Sequence, residues 1–327
     1  MDFRLTQEQV DLQDAIRAFC TARYPVTDLA ALEAAPLGDA WARLADMDVF
    51  RIAAPSTSGG LGLGIVEAAV VYEVLGNHLV PGPLVWSALA KIHLPELTAG
   101  TAIVGGLDGD LRRDEPVLID YAGDLDALVV LRHDGVHLVD SDELDSCEAV
   151  TPIDPLTPVS RATSVPGGRR VADHLVAGDM RKIGAVLTSA LLVGMADRAL
   201  DAAVSYANQR NQFGRPIASF QAIKHLLADM YVRAALARSA TYGAAAMADD
   251  REIGDLATAA ATAKLLAADA AIRNAKTCIQ VHGGMGFTWE MIPHYLLKRA
   301  WVLEHSFGSR AHHAETVARE LANEVAP

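Results

Sequence analysis

Two short segments carry the residue types with the most chemistry in this chain: Arg210-Asn-Gln-Phe-Gly-Arg-Pro-Ile217 and Gln280-Val-His-Gly-Gly-Met-Gly286. Each follows a long stretch of helical apolar spacing. Each also holds a glycine, Gly214 or Gly283, that can turn the chain through a left-handed conformation without steric cost. Pro216 stops helical continuation, and Ser219 stands where it caps a next helix starting at Phe220. Arg210 brings a planar guanidinium, Phe213 an aromatic face, Gln212 and Gln280 amides, and Gly283, Gly284 and Gly286 bare backbone. That set suits a diphosphate and an adenine: a guanidinium forks onto phosphate oxygens, and a fresh helix N-terminus attracts anions. The plainer alternative is that both segments only end helices, yet end signals alone do not ask for Arg210 or Gln280.

The elements that must position these groups are mostly helical. From Asp179 onward, Ile183, Leu187, Leu191 and Met195 make a buried stripe on a helix predicted over Met180–Arg210. A second helix is expected from Phe220 to about Met247. A third, rich in Ala, follows Asp255 and ends at Gln280, and a final pair covers Ile292 to Glu324. Long antiparallel helices of this kind make a four-helix bundle. Upstream, Thr6 caps a helix with Val10, Leu12, Ile16 and Phe19, ended by Tyr24-Pro25. Trp41, Leu44, Met47 and Phe50 carry another, and Ile65–Leu75 a third. Between Thr101 and Gly168 the period becomes strand-like: Thr101–Val104, Pro116–Ile119, Ala127–Leu131 and Val136–Val139, the last two joined by a His133-Asp-Gly135 turn. Pro152, Pro155, Pro158 and Pro166 mark a loop-rich stretch with one more strand. The fold class expected is mainly α: an N-terminal helical domain over 1–98, a reduced middle β domain over 99–172 and a C-terminal helical bundle over 173–327.

Composition excludes several classes. In 327 residues with 51% apolar side chains, no run of about 18 consecutive apolar residues occurs, so no membrane span is expected. The N-terminus lacks the basic and apolar regions of a signal peptide. A formal charge of −13 with no basic block argues against a nucleic-acid partner. Cys20, Cys147 and Cys278 are scattered, which suits a reducing cytoplasm rather than a disulfide framework or a zinc site. No metal is expected: His312 and His313 are adjacent and on a helix point about 100° apart. The Gly-rich loop Pro55–Gly64 has no strand before it and no Lys-Ser/Thr after it, so it does not read as a phosphate cradle.

At Arg210–Ile217, Phe220-Gln221, Leu227-Ala-Asp-Met230 and Gln280–Gly286 the sequence resembles the acyl-CoA dehydrogenase family of flavoenzymes. In that family an Arg-x-x-Phe-Gly turn and a Gln-x-x-Gly-Gly turn hold the adenosine diphosphate half of an FAD whose flavin ring lies in the neighbouring subunit. The resemblance covers most of the chain and is strongest from Ala185 to Trp289. It implies FAD as cofactor, with Arg210, Gln212, Phe213, Gln280, Gly283 and Gly284 as its contacts. It also implies α,β-desaturation of an acyl-CoA thioester. Pro55–Gly64 is similar to the loop joining the family's N-terminal helices, with Ser56 in place of the usual Glu.

Three departures stand out against that pattern. The reaction removes a weakly acidic α proton, so a carboxylate must sit within hydrogen-bonding reach of it. One usual position for that Glu falls on Phe307 and the other on Gly184; neither side chain takes a proton. The family's Thr-Glu-Pro-x-x-Gly-Ser-Asp segment, which holds the flavin ring, is also missing. Intact adenosine-diphosphate motifs without a base resemble the shortened, Glu-less subunit of actinobacterial α2β2 sterol-degrading acyl-CoA dehydrogenases. The implied partner is a second, full-length subunit that completes a heterotetramer, binds most of the acyl-CoA and supplies the carboxylate. Two alternatives stay open on the residues. One is a self-sufficient homotetramer with a relocated base, Glu304, with Glu290 inviting a similar thought; the other is a helical scaffold with no flavin contact. Flavin monooxygenase or oxidase chemistry has no positive signal. Trp301 and Tyr295 read as packing residues.

Overall fold

The computed structural model describes residues 5–26, 29–34, 37–97, 101–110, 116–144 and 147–325. The first helix, α1 (Gln7–Arg23), starts where Thr6 predicts it: the Thr6 hydroxyl accepts from Gln9 N while Gln9 reaches back to Thr6 N. A short α2 (Leu29–Ala34), unforeseen in the sequence, precedes α3 (Gly38–Asp46). Helix α3 stops before Met47 and Phe50 because Asp48 takes a positive φ; Phe50 instead folds back to stack on Trp41 at 4.4 Å. The pair α4 (Ile65–Asn77) and α5 (Leu84–His93) completes the N-terminal helices.

The middle region holds β1 (Val104–Asp108), β2 (Val117–Asp120), β3 (Ala127–Leu131), β4 (Gly135–Asp140), β5 (Cys147–Val150), β6 (Val159–Ala162) and β7 (Arg169–Asp173). One sheet runs β1-β3-β4-β7, with β1 and β3 parallel; the other runs β2-β6-β5. The hairpin expected at His133–Gly135 is present, with Leu128 opposite Val139 and Val130 opposite His137. Elsewhere the expectation needs correcting. Strand pairing begins at Val104 rather than ending there; the proline-marked stretch holds one strand, β6, as expected, with β5 just before it and β7 just after. Prolines bracket these strands without entering the ladders, as their missing N–H requires.

After β7 come α6 (His174–Gln209), the ribbon strands β8 (Asn211–Gln212) and β9 (Arg215–Pro216), α7 (Gln221–Asp249), α8 (Leu256–His282), α9 (Pro293–His305) and α10 (Arg310–Val325). Asp173 caps α6 and Asp255 caps α8, each accepting from two backbone amides of the first turn. Helix α6 packs against α4, α7 and α8. That placement explains why it is apolar enough, among the described residues, to pass as a bilayer span. Its most apolar stretch is 83% buried by protein. Two glycines let α4 and α6 cross almost backbone to backbone: a Cβ on Gly194 would lie 1.8 Å from Glu73 O, and one on Gly76 2.0 Å from Leu191 O.

Candidate functional site

The two segments singled out by their residue types lie at one end of the bundle. Helix α6 ends at Gln209 and α8 at His282, and the Tyr206 ring stacks on His282 at 4.2 Å, which holds the two helix ends side by side. The link from α6 to α7 is a tight ribbon, Gln212 opposite Arg215, closed by Ile217 N donating to Arg210 O at 2.8 Å. Its tip is Phe213-Gly214, with φ of +54° and +77°, as a two-residue type I′ hairpin requires. Phe213 is 91% exposed in that strained setting, touched from its own chain by the edge of Phe220. Arg215 sits 4.2 Å above the Phe220 ring.

Arg210, Gln212, Gln280, Gly283 and Gly284 are all exposed at this end. Among the described residues, no hydrogen bond or ion pair engages the guanidinium of Arg210 or the side-chain amide of Gln280. Ser219 does not cap α7 as expected; its hydroxyl donates to Pro216 O, and no side chain caps the helix. Among the described residues, no side chain therefore takes up the first amides of this 29-residue helix. Gly283, at φ +60°, turns the chain after α8, and Gly286 lies so close to Ile279 O that no side chain fits. Free guanidinium, free amides, an uncapped helix N-terminus and an exposed ring together can hold a diphosphate and stack a base.

The two base positions meet at the other end of the bundle. Gly184 lies within α6, and a Cβ there would come within 2.5 Å of the Phe307 ring. Phe307 is 4% exposed, with φ +55°, and its ring tilts against Trp86 at 4.4 Å. On one side of it a narrow cavity of about 80 Å³ is lined by Leu75, Trp86, Thr188, Leu191, Arg299 and Leu303, among others. On the other side lies an open groove of about 590 Å³ bordered by Asp108, Arg181, Lys182, His305, His312 and His313. The groove is less basic than its composition suggests. Arg181 pairs with Asp108 and Lys182 with Asp179, and burial, with Lys264 nearby, pushes His313 down to about 4. Glu304 lines neither compartment and is half-exposed, while Glu290 is exposed near the opposite end. Trp301 is 39% exposed, so it is a surface residue rather than the packing residue expected; Tyr295 is buried as expected.

The comparisons with known proteins bear on this arrangement. Residues 6–102 match the family described as acyl-CoA dehydrogenase, N-terminal domain, and residues 177–322 that described as acyl-CoA dehydrogenase, C-terminal domain. The chain is 35% identical over 277 residues to acyl-CoA dehydrogenase IpdE2 of Mycobacterium tuberculosis, spanning 83% of this chain and 81% of that one. The chain belongs to the acyl-CoA dehydrogenase family. It is also 36% identical over 287 residues to acyl-CoA dehydrogenase FadE34 of the same organism, but that match covers 80% of this chain and only 40% of its relative. Among solved structures, a chain of the ChsE4-ChsE5 complex from Mycobacterium tuberculosis superposes over 100% of both chains, with a TM-score of 0.86 and 26% identity.

Family membership carries FAD as cofactor, and the unspent donors at the Arg210 end fit it. Three features of this acyl-CoA dehydrogenase fold were not foreseen in the sequence. The Tyr206–His282 stack joins residues 76 positions apart and has no local signature. Trp86 emerges as the partner of Phe307 only once α5 is folded against the bundle. The third is a buried ion pair: Arg299 Nε donates to Asp154 Oδ2 at 2.5 Å, with Asp154 fully buried. The lone Asp154 among prolines was the available signal, since a carboxylate in an apolar loop asks for a cation.

Proposed function

We propose that this chain is a catalytically incomplete subunit of a heteromeric, FAD-dependent acyl-CoA dehydrogenase. It holds the adenosine diphosphate half of an FAD through Arg210, Gln212, Phe213, Gln280, Gly283 and Gly284. A full-length partner subunit holds the flavin ring, binds the acyl-CoA and supplies the carboxylate that takes the α proton. The observation that carries this reading is the Phe307 ring seated on Gly184, which fills both places from which a base could act.

Distance supports the division of labour. On α6, Lys182 borders the groove and Arg210 follows the helix end; on α8, Ala257 borders the groove and Gln280 lies in the last turn. At 1.5 Å per residue, the helices separate the two ends by about 35–42 Å. One dinucleotide does not span that length, so an FAD gripped at Arg210 presents its ring to another chain. Bound FAD supplies the hydride acceptor. Arg210 would neutralise the diphosphate, the α7 N-terminus would donate to it, and Phe213 would cover the adenine. The likeness to a chain of the ChsE4-ChsE5 complex supports a partnership of unlike subunits; the α2β2 heterotetramer is our proposal from the resemblance of the motifs alone. The substrate class we propose, by analogy with the Glu-less subunits that the sequence resembles, is a bulky, sterol-derived acyl thioester. Glu304 gives the homomeric alternative no support, since it faces neither compartment.

Replacing Arg210 by Ala in the assembled complex tests the grip. Loss of a charge-assisted bond costs about 1.5–3 kcal/mol, so FAD affinity should fall roughly 10- to 150-fold with the fold intact. An unchanged FAD affinity would remove the cofactor role and leave a scaffold.

A further inference from the structure

Phe307 does more than replace a carboxylate. It borders both the narrow cavity and the open groove, so its ring is the partition between them. Four features fix it there. Its backbone holds a left-handed conformation, which a bulky residue adopts only when the surroundings enforce it. Gly308 follows at φ +107° and packs so tightly on His312 and His313 that a Cβ would lie 2.8 Å from His313 Nε2. Trp86 closes on the ring from α5. Gly184 then removes the side chain that would collide with it. Glycine within a helix is unfavourable by about 1 kcal/mol relative to Ala, and the contact that demands it here is this ring.

We propose that Phe307 is a plug: it walls this chain's narrow cavity off from the groove, so that the subunit excludes the acyl chain of a thioester rather than merely failing to deprotonate it. The inference rests on the family reading, which puts the reacting α carbon beside residues 184 and 307. Phe307 lines both the groove and the cavity, so an acyl chain passing between them at this point meets the ring. Phe307 is thus a specificity-determining residue, directing acyl groups of every length to the partner's site.

Thr188 offers a direct measurement, because it is fully buried and lines the cavity behind the plug. In a full-length chain carrying Cys147→Ser and Thr188→Cys, the introduced thiol is titrated with butyl methanethiosulfonate, a short linear alkyl probe. The remaining cysteines, Cys20 and Cys278, are buried and stay unlabelled while the chain is folded, so they report folding in the same experiment. Adding Phe307→Ala, or the gentler Phe307→Val should the first unfold the chain, is expected to speed labelling of the introduced thiol at least tenfold. Any smaller gain in a variant whose Cys20 and Cys278 stay protected overturns the plug, whether because the cavity was already open or because the ring is not its barrier. FAD plays no part in this readout, so its failure and the failure of the Arg210 prediction are separable.

Discussion

Replacing Asp154 by Ala is expected to destabilise the chain by about 3–5 kcal/mol, because it leaves a buried guanidinium without its counter-charge. Asp154 is fully buried and accepts from Arg299 Nε, from Thr157 Oγ1 at 2.6 Å and from Leu156 N. Arg299 is nearly as buried and uses Nη1 to reach Val80 O at 3.1 Å. The pair therefore ties the loop between β5 and β6 to α9 and to the turn between α4 and α5, three walls of the narrow cavity. In a chain of this size the thermal midpoint should drop on the order of 5–10 °C. The exposed pair Arg17–Asp14 is the control, since solvent-exposed ion pairs contribute little. Asp14→Ala should leave the midpoint where it was. Equal shifts for the two variants would mean that Asp154 is not the structural tie described.

The α4–α6 crossing yields the second large effect. Gly194→Ala would set a methyl group 1.8 Å from Glu73 O and 2.7 Å from Asn77 N, both backbone atoms that cannot rotate away. The helices must then separate, which also strains the Glu73–Arg238 ion pair and the Tyr242 hydroxyl donating to Glu73. Overpacking typically costs about 1–3 kcal/mol, with the upper end expected where the clash is with backbone, so poor solubility or a midpoint several degrees lower is expected on thermal melting. Gly178→Ala, in the same helix, has open space for its methyl group and should stabilise by about 0.5–1 kcal/mol. If both substitutions act alike, the close crossing is not what holds α4 on α6.

These contrasts show which parts of the molecule were legible in the sequence. Helix ends set by local chemistry could be read: Thr6, Asp255 and the glycines at 214 and 283 each act within a few residues of themselves. The mainly helical fold with a small β region followed from a change of apolar period at Thr101. Features that depend on distant neighbours could not be read. Gly184 and Gly194 look alike in sequence, as glycines within one helix, yet one accommodates the Phe307 ring and the other the α4 backbone. Ser219 has the side chain of a cap but spends it on Pro216 O, because the ribbon turns it away from α7. Counting from the motifs assigns the proposed base positions to Gly184 and Phe307. Their contact with each other is a product of α6 and the α9–α10 turn folding together.

The central claim is that one end of this chain grips a cofactor whose reactive ring another polypeptide holds. The most direct test is to purify the chain twice, expressed alone and together with a full-length homologous partner, and to measure flavin absorbance per polypeptide and thioester oxidation in each. The account predicts a colourless, inactive protein alone and, with the partner, one FAD for each pair of unlike subunits. A yellow protein that oxidises an acyl-CoA without any second subunit would contradict it.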